Sequence, residues 1–280
     1  MILVTGAGGK TGLAVITAAT QRGLAVRALV RRESRTAAAQ QAGAAEVVVG
    51  DMTRAAVVRE AAEGVTAIYH IAPNMNPQEM HMGQMAIQAA QSSGAHLVYH
   101  SVLHPHTEEM PHHWHKLRVE EEIFMAGVNF TILQPAPYME NILAYWAAMQ
   151  ARGVYAVPYP PDTRLSLVAL GDVAVVAAEV LANPAAHRGA TYELVGTAAL
   201  SQGEIAAVCG GLLGREVVAE EMPLLEWELQ AQANGLPALA IHTLSRMFAY
   251  YGRYGLVGNG NVLRWLLGRA PTTLAEALRG

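Results

Sequence analysis

The chain has one cysteine, Cys209, in 280 residues. A single thiol cannot close an internal disulfide or build a four-thiolate metal site, and its scarcity fits a reducing compartment. Charge is sparse too: Asp, Glu, Lys and Arg make up 15%, with 19 basic against 23 acidic residues and a formal net charge of −4. No global positive field exists to hold a polyanion, so nucleic acid is not an expected partner. Long apolar runs are missing although 52% of the residues are hydrophobic. The longest uncharged stretches, such as Ile123 to Met139, contain Pro, Asn and Gln, and none reads as a membrane span. Ile2-Leu3-Val4 already reads as a strand, so no targeting segment is expected before the fold. These absences predict a soluble, cytoplasmic, globular protein with ample material for a core. Composition leaves monomer and homodimer both open.

The first half of the chain alternates short β-branched runs with Ala-rich helical stretches. Strands are predicted at Ile2–Val4, Ala25–Val30, Glu46–Val49, Ala67–Ile71, His96–Ser101 and Asn129–Leu133, with helices near Lys10–Arg22, Thr36–Ala42, Thr53–Glu63, Pro77–Ser93 and His112–Ala126. Strand-helix alternation at this spacing implies βαβ crossovers. The strands are continuously apolar, as a sheet covered on both faces requires. The predicted class is α/β: a doubly wound parallel sheet of Rossmann type with a smaller C-terminal substrate or cap region.

After Gln134 the rhythm changes, with Pro135, Pro137, Pro158, Pro160 and Pro161 among Tyr138, Tyr145, Trp146, Tyr155 and Tyr159. A strand at Leu165–Val168, a helix from Asp172 to Leu181 and a strand at Ala190–Leu194 are expected next. Ser201 with Glu204 and Thr273 with Glu276 have the spacing of capping boxes, which mark helix starts. The expected division is residues 1–135 for a cofactor-binding core and 136–280 for a mixed region that completes the sheet and forms the cap.

The sharpest motif stands at the N-terminus: Val4-Thr5-Gly6-Ala7-Gly8-Gly9-Lys10-Thr11-Gly12. Gly6, Gly9 and Gly12 follow a strand and open a helix, where absent Cβ atoms let the backbone approach a pyrophosphate at the helix N-terminus. Gly9-Lys10-Thr11 is not the end of a Walker A motif, because that motif needs glycine where Val4 stands. Gly6, Gly8, Gly9, Lys10, Thr11 and Gly12 are therefore candidate cofactor contacts. An NAD site wants a carboxylate at the end of the second strand, yet that strand runs out as Leu29-Val30-Arg31-Arg32, with no acid before Glu33. Guanidinium groups suit a 2′-phosphate, so the expected cofactor is NADP(H) in preference to NAD(H), with Arg31 and Arg32 as contacts. Asp51 and Met52 end the third strand, where a carboxylate can meet the adenine amino group, hold the turn before the next helix, or do both. Ala72 and Pro73 close the fourth strand at the carboxyl edge, where ligands of open α/β sheets bind. Asn74 is a candidate substrate contact, while Met75, Met80, Met82 and Met85 read as ordinary core.

Seven of the 11 histidines fall between positions 96 and 115. They follow the fifth strand and open the next helix, so His112 or His113, with Ser101, is a candidate proton source. His104-Pro-His106 and His112-His113 lack the spacing of a helical metal pair, and no metal is expected. Lys116 lies four residues before Glu120, the spacing of an ordinary helix ion pair.

The segments Thr5–Gly12, Val30-Arg31-Arg32, Gly50-Asp51-Met52 and Gln134–Asn141, with Ser166–Ala174 and Gly268–Glu276, together resemble the NmrA-like family of atypical short-chain dehydrogenase/reductases. The resemblance implies an NADP(H) site with a small cap over the nicotinamide. It also implies an NADPH-dependent reductase passing hydride to a small conjugated or aromatic acceptor such as a quinone, enone or azo compound. Some members are instead redox sensors that bind the cofactor without turnover, and that alternative stays open. The wider superfamily uses Ser, Tyr and Lys, with Tyr four residues before Lys. This chain has Ser101 and Lys116 but His112 at the tyrosine position. By the resemblance, Lys116 contacts the nicotinamide ribose, Pro135 and Tyr138 contact the cofactor, and Tyr138 and Asn141 wall the substrate pocket.

Overall fold

In the computed structural model, which describes residues 1–279, the first elements are β1 (Ile2–Val4), α1 (Lys10–Gln21), β2 (Val26–Val30), α2 (Thr36–Gln41) and β3 (Glu46–Val49). They are followed by α3 (Ala55–Ala61), β4 (Ala67–His70), α4 (Glu79–Ser93), β5 (His96–His100), α5 (Pro111–Met125) and β6 (Phe130–Pro135). Next come α6 (Trp146–Arg152), β7 (Val154–Val157), β8 (Arg164–Leu165), α7 (Leu170–Ala182) and β9 (Ala190–Leu194). The chain closes with β10 (Leu200–Ser201), α8 (Gln202–Leu213), β11 (Val218–Glu221), α9 (Leu224–Ala233), α10 (Ala238–Tyr254), α11 (Asn261–Leu267) and α12 (Leu274–Arg279).

Seven strands form one sheet in the order β3-β2-β1-β4-β5-β6-β9, and every neighbouring pair among the first six is parallel. This is the doubly wound Rossmann-type fold. The order reverses beside β1, so β1 and β4 flank the switch point where such sheets bind ligands at their carboxyl ends. On one face Leu3, Leu29, Ile68, Leu97, Tyr99 and Ile132 pack against Val58 of α3, Met82, Met85 and Ile87 of α4, and Val119 and Ile123 of α5. On this core face the methionines at positions 82 and 85 are ordinary packing, as expected.

The chain forms two compact units, the first of residues 1–106, 112–135 and 170–193, the second of residues 107–111, 136–169 and 194–280. The chain crosses at 135/136 but also returns through α7, whose residues belong to the first unit with α1. In the second unit β7 pairs in parallel with β11, and β8 pairs antiparallel with β10. Its apolar centre is aromatic: Tyr159 meets Phe248 and Tyr251, and Trp227 meets Phe248. Among the described residues no helix is long and apolar enough to cross a membrane.

Many element ends shift by a residue or two from expectation. The helix expected from Thr53 starts at Ala55, because Asp51 and Thr53 are held in a turn. The helix expected from Pro77 starts at Glu79, after the Asn76 side chain accepts the Gln78 amide at 2.9 Å. The strand expected at Leu165–Val168 reduces to Arg164–Leu165, and Val168 makes only an isolated bridge to Tyr138. Both capping boxes are formed, Ser201 with Glu204 and Thr273 with Glu276.

Candidate cofactor and catalytic site

The glycine loop after β1 excludes side chains by construction. Gly6 has φ +59°, and a Cβ there would lie 2.4 Å from the Ile71 carbonyl oxygen. A Cβ on Gly12 would lie 2.6 Å from the Gly6 carbonyl oxygen and 2.8 Å from Ala7 Cα. The Gly9 amide donates to the Gly6 carbonyl at 3.0 Å, closing the turn that delivers the chain to α1. Lys10 is exposed in the first turn of α1, and Thr11 is buried behind it. A loop packed this tightly, ending on a helix N-terminus, has the shape and polarity to cradle a pyrophosphate.

Arg31 and Arg32 are exposed just past β2. Asp51 uses Oδ1 to accept both the amide and the hydroxyl of Thr53 at 2.9 Å, while Oδ2 lies 3.8 Å from Arg31 Nε. The Thr53 amide bond, more than any charge, holds the Asp51 carboxyl below its ordinary range. Asp51 thus holds the turn. Met52 turns into the core, away from the role of an open cofactor contact. Sequence reading missed Arg35, whose Cβ and Cγ lie 3.0 Å from where a Gly8 Cβ would stand. Its stem therefore covers the glycine loop at Gly8.

At the β4 edge, Ala72 is buried in the core while Pro73 and Asn74 are exposed, and Met75 takes a left-handed φ of +56°. His70 Nδ1 is hydrogen-bonded to Thr5 Oγ1 at 2.9 Å, tying β4 to the start of the glycine loop.

Two buried charged side chains of α5, Lys116 and Glu120, reach the end of β5. Ser101 donates its hydroxyl to Glu120, and Gln134 donates to both oxygens of the same carboxylate at 3.0 Å. Burial raises the Glu120 pKa even against these bonds. Ser101 is therefore committed inward and does not present a proton to the sheet edge, which corrects its reading as a proton source. Lys116 is not paired with Glu120, as helical spacing allowed. Its ammonium donates to Glu79 Oε1 at 2.9 Å and to the His100 carbonyl at 3.1 Å, with Tyr99 donating to the same Glu79 oxygen at 3.0 Å. Glu79 sits on α4 and had no signal in the sequence reading.

Burial lowers the imidazole pKa values to about 4 for His70, His96 and His113 and to about 3 for His100 and His112. Imidazoles so depressed are neutral at pH 7, so none of these five stores a proton there. His113 Nδ1 donates to the His104 carbonyl at 3.2 Å, and the His112 Nδ1 is buried with no hydrogen-bond partner among the described residues. Among the described residues no group of three or more His, Cys, Asp or Glu is arranged to hold a metal ion.

Pro135 ends β6, and its carbonyl accepts the Leu103 amide at 2.9 Å. Tyr138 and Asn141 belong to the second unit, half-buried and exposed respectively, and the Asn141 amide donates to the Tyr138 carbonyl at 3.1 Å.

A family model described as the NmrA-like family matches residues 1–278. The chain belongs to the NmrA-like family. Two relatives match along nearly all of both chains. An NAD(P)H azoreductase of Xenophilus azovorans is 26% identical over 281 aligned positions, covering 99% of this chain and 96% of the relative. Quinone oxidoreductase 2 of Escherichia coli K12 is 27% identical over 281 positions, covering 99% and 97%. The solved structure of that E. coli NADPH-dependent quinone oxidoreductase with NADPH superimposes with a TM-score of 0.88, covering 100% of this chain and 99% of the other. The triphenylmethane reductase of Citrobacter sp. with NADP(H) shares the fold at 21% identity and a TM-score of 0.88, over 100% and 99% of the two chains.

Proposed function

We propose that this NmrA-like protein is an NADPH-dependent reductase acting on a small conjugated or aromatic acceptor, such as a quinone, enone or azo compound. The observation that carries the reading is the phosphate loop, where Gly6 and Gly12 leave no room for a Cβ against the backbone at the head of α1. That cradle fits a dinucleotide pyrophosphate, in a chain aligned end to end with NAD(P)H-dependent relatives. When bound, a reduced nicotinamide supplies the hydride.

The residues of this chain hold and orient. Gly6, Gly8, Gly9, Lys10, Thr11 and Gly12 would bind the pyrophosphate. Arg31, Arg32 and Arg35 would face the 2′-phosphate, the basis of the NADP preference. Lys116 would contact the nicotinamide ribose through the ammonium donor that its two protein bonds leave over. Pro73 would contact the cofactor, and Asn74 would border the acceptor. His112 and His113, as neutral imidazoles, would pass a proton from solvent to the reduced acceptor rather than store one. A soluble cytoplasmic location fits this chemistry.

A second reading, a redox sensor that binds NADP(H) without turnover, draws on one observation. The hydroxyls of Ser101 and Tyr99 are both committed to buried carboxylates. NADPH oxidation by the purified protein with a panel of quinones, azo dyes, enones and aldehydes separates the two. Turnover supports the reductase. Tight but unequal binding of NADPH and NADP+ without turnover supports the sensor.

A further inference from the structure

The Lys116 ammonium is nearly closed off from water, and so is the carboxylate that faces it. Lys116 is 7% exposed and Glu79 3%. Their helices are brought together by Gly83 of α4, where an added Cβ would lie 2.5 Å from Val119 Cγ1 of α5. A buried ion pair is sustained only if its other hydrogen-bonding positions are satisfied. Here one oxygen, Glu79 Oε1, accepts from Lys116 at 2.9 Å and from the Tyr99 hydroxyl at 3.0 Å. Glu79 opens α4, so its charge also lies at the favourable end of the helix dipole. Tyr99 stays a donor because burial, reinforced by Glu79, pushes its phenol well above the ordinary value.

The geometry of Lys116 is thereby fixed from three sides. Glu79 takes one ammonium donor, the His100 carbonyl at the end of β5 takes a second at 3.1 Å, and the Tyr99 ring lies under the nitrogen with its centroid 5.5 Å away. An ammonium has three donors, so one remains. A lysine stem has four rotatable bonds, and without this arrangement the remaining donor has no set direction.

We propose that Glu79 is a positioning residue for cofactor binding: through its bond to Lys116 it sets which ammonium donor faces the nicotinamide half of the cofactor. The inference rests on the reading of Lys116 as the ribose contact. Glu79 itself does not touch the cofactor, and its action runs wholly through Lys116.

The test measures dissociation constants for NADPH and for 2′,5′-ADP, with ADP beside it, in wild type, Glu79→Ala, Glu79→Gln, Lys116→Met and the Glu79→Ala/Lys116→Met double variant. Glu79→Ala is expected to weaken NADPH by about tenfold, the scale of one charge-assisted hydrogen bond, and to leave the adenosine-side fragments unchanged. Glu79→Gln, whose amide oxygen still accepts from Lys116, is expected to recover part of the loss. In the Lys116→Met background Glu79→Ala is expected to add nothing. Unchanged NADPH binding in Glu79→Ala, equal loss of NADPH and fragments, or a further loss on top of Lys116→Met each overturns the positioning role. If Glu79→Ala does not fold, Glu79→Gln carries the same comparisons. Lys116→Met with unaltered NADPH binding would instead overturn the reading of Lys116. Loss in Lys116→Met with a neutral Glu79→Ala overturns the Glu79 inference alone.

Discussion

Ser101, the first residue after β5, donates its hydroxyl proton to Glu120 of α5 and not outward from the sheet edge. In this chain it is one of the donors that make a buried carboxylate tolerable, beside Gln134. Ser101→Ala is expected to lower stability by about 1–3 kcal/mol, since a buried acceptor loses a partner. Its kcat is expected to fall less than about tenfold. Urea titration and steady-state kinetics check both; a kcat loss of about 100-fold or more, on the scale of a lost acid-base group, would return Ser101 to the proton path.

The buried imidazoles make stability depend on acid. His70, His96, His100, His112 and His113 fall from 6.5 to about 3–4 on folding. A depressed folded pKa means the unfolded chain binds more protons, so the contribution is full above pH 6.5 and is lost as pH falls toward 4. Each imidazole contributes at most about 1.4 kcal/mol per pH unit in that window. Glu120, whose pKa is raised by burial, works in the opposite direction, but it is one group against five. The urea midpoint is expected to drop steeply between pH 7 and pH 5. A flat or rising midpoint would contradict the neutral, buried state of these side chains.

Gly12→Ala puts a methyl group 2.6 Å from the Gly6 carbonyl oxygen, so the loop must open. Stability is expected to fall by about 1–3 kcal/mol and cofactor affinity by tenfold or more. Gly9→Ala, where the same contact is 3.3 Å, is expected to be milder on stability. Thermal unfolding and NADPH titration of both variants check this, and equal effects would mean that the loop is not held by backbone packing.

The tight glycine turn and the parallel strands were legible in the sequence because both are local. Gly6, Gly9 and Gly12 report a tight turn, and runs such as Ala67–His70 report strands covered on both faces. What stayed hidden depends on which helices meet. Helical spacing from Lys116 pointed to Glu120, but α5 turns Glu120 toward Ser101 and Gln134 and leaves Lys116 to Glu79 on α4. The Arg35 stem lies on Gly8 through a turn that spacing does not encode. Burial of the histidines, which sets their charge, likewise follows from packing and not from their clustering in sequence.

Arg31→Ala, Arg32→Ala and Arg35→Ala are expected to weaken NADPH by about tenfold each, the scale of one charge-assisted contact, and NADH far less. Dissociation constants for both nucleotides check this. Equal losses for the two would remove the 2′-phosphate assignment, and an unchanged Arg35→Ala would remove that residue from it.

The most direct measurement is NADPH oxidation by the purified protein against the acceptor panel, with Lys116→Ala alongside. The account predicts turnover with at least one quinone, enone or azo acceptor, and a fall in kcat/KM of about tenfold or more in Lys116→Ala. Absence of turnover across the panel, or Lys116→Ala indistinguishable from wild type, would contradict it.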